Sequence, residues 1–197
     1  MSLEVIGNAN YLNERRHSRG AHSTSVDAVM LAEMENGSRK LFFIEWKYVE
    51  QYTGKASKFN DESGKTRKAT YMPLLTKDDC PINIPVMNDQ FIEGIFYEPF
   101  YQLMRQTLLA HEMIKAQDFG ATDYVHLHLI PSGNDELKLE NTSRGILNGT
   151  TLEQTWKNLL KSPEKYMAID PKDFLEPARN ISGASAAIKY LEQRYWS

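Results

Sequence analysis

The chain has 197 residues, 25% of them charged and 11% aromatic, with a formal net charge of −3 at pH 7. That length supports one domain with its own core, and the composition excludes a disordered chain or a histone-like polycation. A single cysteine, Cys80, excludes an internal disulfide and any multi-cysteine zinc site. The longest aliphatic-aromatic run, Leu41-Phe42-Phe43-Ile44, is far too short to span a membrane, and no apolar leader opens the chain. The expectation is a soluble, cytoplasmic protein of a reducing compartment, so the sequons at Asn141, Asn148 and Asn180 read as chance matches.

In chain order, a polar opening anchored by Val5, Ile6, Tyr11 and Leu12 precedes Val26 to Leu31, which reads as a strand. Glu35-Asn36-Gly37-Ser38 supplies turn chemistry, and Lys40 to Tyr48 reads as its hairpin partner. Residues 49–90 then read as a basic, irregular insertion, where Lys55, Lys58, Lys65, Arg67 and Lys68 stand against Asp61 and Glu62. A further short strand is expected at Phe91 to Tyr97. Pro99 suits the first position of a helix running to about Gln117. Its apolar stripe is Phe100, Leu103, Met104, Thr107, Leu108, His111 and Ile114. Glu98, Gln102, Arg105, Gln106 and Glu112 fall on the opposite, polar side. Asp123 to Ile130 reads as another strand, stopped by Pro131. The last third reads as helical, with Thr150-x-x-Glu153 as a capping box and a final helix capped by Asn180 or Ser182. The expected fold is mixed α/β: a core over residues 1–135 with a helical extension, residues 136–197, packed on it.

The chemistry concentrates at Asp27 and Glu45-Trp46-Lys47. Alternation places Glu45 and Lys47 on one face of their strand. A two-residue Asn36-Gly37 turn would pair Asp27 with Trp46 and split the carboxylates between faces. A three-residue loop, Glu35-Asn36-Gly37, with a left-handed Gly37 and a bulge, pairs Asp27 with Glu45 instead. Glycine suits that position, so this register is the one expected. It brings the two Cβ atoms to roughly 5 Å, close enough to share one cation. Two carboxylates suit Mg²⁺ or Mn²⁺, and the lysine can stabilise an attacking hydroxide or developing negative charge.

At Ser25-Val26-Asp27-Ala28 and Phe43-Ile44-Glu45-Trp46-Lys47-Tyr48 the sequence resembles the PD-(D/E)xK, or restriction-endonuclease-like, nuclease superfamily. The phrase Tyr101-Gln102-Leu103-Met104-Arg105-Gln106, with Glu98-Pro99 before it, resembles one bacterial branch of it. The resemblance implies a restriction-endonuclease-like core and a metal-dependent nuclease acting on nucleic acid, DNA first. It implies Asp27, Glu45 and the Trp46 backbone carbonyl as metal ligands, Lys47 as the catalytic lysine, Gln102 as the added polar residue and Arg105 as a phosphate contact. Superfamily members often carry an upstream acidic residue on a helix, and Glu14 is the residue available. Asn13 to His17 lacks the apolar spacing of a docking helix, so a longer natural chain with residues ahead of Met1 stays open. Lys55, Lys58, Lys65, Arg67 and Lys68 suit contact with a phosphate backbone. Enzymes of this kind that cut both strands often work as dimers, which leaves a homodimer open.

The competing readings are concrete. Glu-x-Lys alone on a strand is ordinarily solvated charge or a cross-strand ion pair, but its aliphatic and aromatic neighbours point to a central strand. A nuclease fold without turnover, serving as a binding or scaffolding module, is one alternative. A His-x-His metal hydrolase built on His126 and His128 is another, although two polar residues on one sheet face is the better reading. Cys80 lacks an adjacent base and reads as inert. If Lys47 faces an open cleft, its removal leaves stability nearly unchanged.

Overall fold

The structure is a computed structural model and describes residues 1–15, 18, 23–47, 64–84, 89–139, 147 and 149–195. Five strands form one mixed sheet in the order β1-β2-β3-β4-β5: β1 (Ser2–Val5), β2 (Val26–Glu33), β3 (Arg39–Trp46), β4 (Asp123–Leu129) and β5 (Tyr166–Ile169). The first three run antiparallel; β4 is parallel to β3 and β5 to β4. β3 is therefore the central strand, as its apolar company suggested.

The β2–β3 hairpin closes on the three-residue loop. Met34 N–H donates to the Ser38 carbonyl at 2.8 Å, and Gly37 N–H to the Met34 carbonyl at 2.8 Å. Gly37 has φ +79°, a left-handed conformation that glycine adopts without a Cβ clash. The resulting register pairs Glu33 with Arg39 through Ala28 with Ile44 and ends one residue short of Asp27 and Glu45.

The helices are α1 (Gly64–Leu75), α2 (Asp89–Ile95), α3 (Phe100–Lys115), α4 (Asp135–Leu139), α5 (Leu152–Leu159), α6 (Pro171–Leu175) and α7 (Ser185–Tyr195). α3 and α5 bury their apolar sides against one face of the sheet. That core contains Val29, Leu41, Phe43, Leu103, Met104, Leu108, Trp156 and Tyr166. Fully burying an aliphatic or aromatic side chain of this kind contributes about 1.5–3 kcal/mol. The other face carries a smaller cluster, Ala28, Ile44, Leu127 and Leu129, with Phe174 of α6 against it.

Several expectations are corrected. Residues Phe91 to Ile95 lie in helix α2 rather than a strand, and the strand beside β2 is β1, from the chain's opening. The insertion is not irregular throughout, because residues 64–75 form α1, which buries Tyr71, Leu74 and Leu75. Lys55 and Lys58 lie outside the described residues. The last third is not purely helical: β5 adds a strand parallel to β4, so residues beyond 135 complete the sheet. Pro99 is the N-cap of α3 rather than its first residue. The α5 cap is Thr151, one residue later than expected, and its side chain accepts from Gln154 N–H. Ile181 lies outside α7 and is 58% exposed, whereas Ile188 is buried.

Candidate active site

Alternation along β3 sends Leu41, Phe43, Glu45 and Lys47 to the α3 side of the sheet, and Phe42, Ile44 and Trp46 to the other. At the carboxyl end of β3 that inward series changes from apolar to charged. There α3 presents polar side chains in place of its apolar stripe. Gln102 and Gln106, one helical turn apart, project onto the same carboxylate. Glu45 Oε1 accepts from Lys47 Nζ at 2.7 Å and from Gln102 Nε2 at 2.7 Å, and Oε2 accepts from Gln106 Nε2 at 2.6 Å. Glu45 and Lys47 are 3% and 5% exposed. Burial pushes the Glu45 carboxyl above its ordinary range; Lys47 pulls it down and the nearby Asp27 carboxylate pushes it up.

Asp27 stands on the neighbouring strand, exposed, with Oδ2 accepting from Trp46 N–H at 2.8 Å. That bond takes the place of a ladder bond just where the β2–β3 pairing ends. Asp27 Oδ1 accepts from no donor among the described residues. Asp27, Glu45 and Lys47 are thus brought together, and Gln102 joins them. The donor set fits a hard divalent cation: two carboxylates on adjacent strands, mutually repulsive, one with an open oxygen. It is a pair rather than a cage, for no group of three or more His, Cys, Asp or Glu among the described residues is arranged to hold a metal.

Glu14 has a different task. Its carboxylate accepts from Thr24 N–H at 2.6 Å, Thr24 Oγ1 at 2.5 Å and Tyr71 OH at 2.5 Å, with Arg105 at 3.3 Å. Glu14 is a bolt joining the approach to β2, α1 and α3, and the groups it holds are not those around Asp27 and Glu45. Arg105 is committed to the same bolt: Nε donates to Thr24 Oγ1 at 2.9 Å and the guanidinium lies over the Tyr101 ring. It is a strut, not a free phosphate hand. Through Tyr71 the bolt also seats α1, which carries Lys65, Arg67 and Lys68, against the site-bearing helix.

His126 and His128 sit beside Phe43 and Glu45 in the parallel β3–β4 pairing and are each 1% exposed. His128 Nδ1 shares a hydrogen bond with Tyr166 OH at 2.8 Å. The other three ring nitrogens have no partner among the described residues. Burial, with Lys47 nearby, pushes His126 down to about 3 and His128 well below its ordinary value. Both rings are sealed in the sheet, and among the described residues no group of three or more His, Cys, Asp or Glu is arranged to hold a metal, so the His-x-His pair has no third ligand there. Cys80 is buried, and burial pushes its thiol up, as an inert cysteine requires.

Gln106, expected on the polar side of α3, is 1% exposed. The signal that finds it is its spacing of four from Gln102, which puts both amides over one point of the sheet.

A mixed five-stranded sheet flanked by helices is a restriction-endonuclease-like α/β architecture. The chain belongs to the family described as restriction endonuclease associating with ARP, whose model matches residues 2–196. This is a nuclease family, and nucleic acid is the substrate class that goes with it. A search of curated proteins finds no match, and a search of solved structures finds none. Among the described residues no helix is long and apolar enough to cross a membrane.

Proposed function

We propose that the protein is a Mg²⁺- or Mn²⁺-dependent nuclease of the PD-(D/E)xK type, hydrolysing phosphodiester bonds of nucleic acid, with DNA as the first substrate. The observation that carries this reading is the convergence just past the paired part of the β2–β3 hairpin, where Lys47 and Gln102 donate to Glu45 and Asp27, accepting from Trp46 N–H, lies near enough to push the Glu45 carboxyl up. Asp27, Glu45 and the Trp46 carbonyl would hold the metal, which when bound neutralises phosphate charge and lowers the pKa of water. Lys47 stabilises negative charge at the attacking oxygen and serves Glu45 as its resident counter-charge. Gln102 holds Glu45 Oε1 in place, a narrower task than orienting water or phosphate. Lys65, Arg67 and Lys68, on a helix joined to α3 through Tyr71 and Glu14, would meet the phosphate backbone.

Burial of Glu45 and Lys47 favours a second reading, a nucleic-acid-binding module that keeps the fold without turnover. One assay separates the two. Wild type and Glu45→Gln are incubated with plasmid, linear duplex, single-stranded DNA and RNA, each with Mg²⁺ or Mn²⁺. Metal-dependent cleavage at least a hundredfold slower in the variant is expected. Binding without cleavage by the wild type would select the inactive module.

A further inference from the structure

We infer that Gln106 is a positioning residue that fixes the Glu45 carboxylate relative to Asp27, an inference that rests on the metal-centre reading above. Gln106 Nε2 carries two N–H groups, and both are used. One reaches Glu45 Oε2 at 2.6 Å and the other the Ser25 carbonyl at 3.1 Å. Ser25 lies two residues before Asp27, at the entry to β2, and Glu45 lies near the end of β3. One side chain thus ties together the two strands that carry the carboxylates. It does so where their backbone no longer does, since the β2–β3 ladder stops at Ala28 with Ile44.

The orientation of the amide is fixed by what it faces. Turned over, its oxygen would stand against a carboxylate oxygen and a carbonyl oxygen, all of them acceptors. In the orientation found, Gln106 Oε1 is buried with no partner among the described residues. Leucine would fill similar space and leave no polar atom unpaired. Glutamine is therefore suited to this position by its two donors, despite the acceptor it strands. Its task also differs from that of Gln102. Glu45 Oε1 has two donors, Lys47 and Gln102, whereas Gln106 is the donor on Oε2. Groups that orient a ligand without touching the ion ordinarily change metal affinity by 10- to 100-fold when removed.

The test is calorimetric titration with Mn²⁺ alone on the wild type, Gln106→Leu, Gln106→Met and Glu45→Gln, with folding checked by circular dichroism. Glu45→Gln should lose the site. The two Gln106 variants should stay folded and bind Mn²⁺ about 10- to 100-fold more weakly. The Mn²⁺ concentration giving half-maximal cleavage should rise by the same factor, with a smaller change in kcat at saturating metal. Wild-type Mn²⁺ affinity in either folded Gln106 variant would overturn the inference, reducing Gln106 to packing. A wild type whose Mn²⁺ binding does not depend on Glu45 would instead remove the metal centre itself, and the positioning role with it.

Discussion

Lys47→Met is expected to lower the free energy of unfolding by about 3–5 kcal/mol, and the double variant Glu45→Gln/Lys47→Met to recover most of that loss. The reason is burial. With both partners sealed and 2.7 Å apart, removing the ammonium leaves an anion in a low-dielectric interior, held by two amides alone. Replacing both partners by neutral groups of similar shape removes the desolvation cost along with the attraction. This replaces the expectation of an open cleft, under which Lys47 would be dispensable for stability. Cleavage should behave differently, with each single variant and the double variant down at least a hundredfold. Stability rescued without activity is the pattern of a pair that is both buried and catalytic. Urea denaturation of the four proteins checks it; a double variant no more stable than Lys47→Met would mean that the two side chains act independently.

The second large effect concerns acid. His126 titrates near 6.5 in the unfolded chain and is pushed down to about 3 in the fold. Between those values the unfolded state binds the extra proton, so stability is complete above about pH 6.5 and falls as pH falls through the window. From pH 6.5 to 5, His126 alone removes about 2 kcal/mol, at about 1.4 kcal/mol per pH unit. His128 is shifted the same way and steepens the loss. Glu45 works against it: its folded carboxyl is raised, so its protonation favours the fold as pH falls. Comparing wild type with His126→Leu cancels that contribution. The variant removes two buried nitrogens without partners, and so should be at least as stable at neutral pH and lose less stability on acidification. Urea midpoints measured from pH 7.5 to 5 give the answer; parallel curves would mean that His126 gains no proton on unfolding.

Much of the site was legible because it rests on local rules. Asn36-Gly37 chose the loop, the loop chose the register, and alternation then placed Glu45 and Lys47 on one face. The helix bearing Gln102 was legible from the periodicity of Leu103, Met104, Thr107 and Leu108. The fold was harder to read where length or tertiary contact decides. β1 and β5 are four residues each, too short to carry an alternation, and become strands because β2 and β4 offer edges to pair with. Phe91 to Ile95 is a short apolar run that periodicity cannot assign, and its packing beside α3 makes it helical. α1 has little amphipathic pattern, yet Tyr71 bonded to Glu14 and the buried Leu74 and Leu75 hold it in place. The burial of Gln106 and the role of Glu14 were not legible for one reason. A polar side chain shows its task only with its partner, and Glu45 and Tyr71 lie 61 and 57 positions away in the chain.

The measurement that bears most directly on the metal centre is Mn²⁺ binding, followed by electron paramagnetic resonance, on wild type, Asp27→Asn and Glu45→Gln. If Asp27 and Glu45 hold one ion between them, the wild type shows a tight site that each single variant loses. Tight binding that survives in both variants would place the metal elsewhere and contradict a nuclease centre built on these two carboxylates.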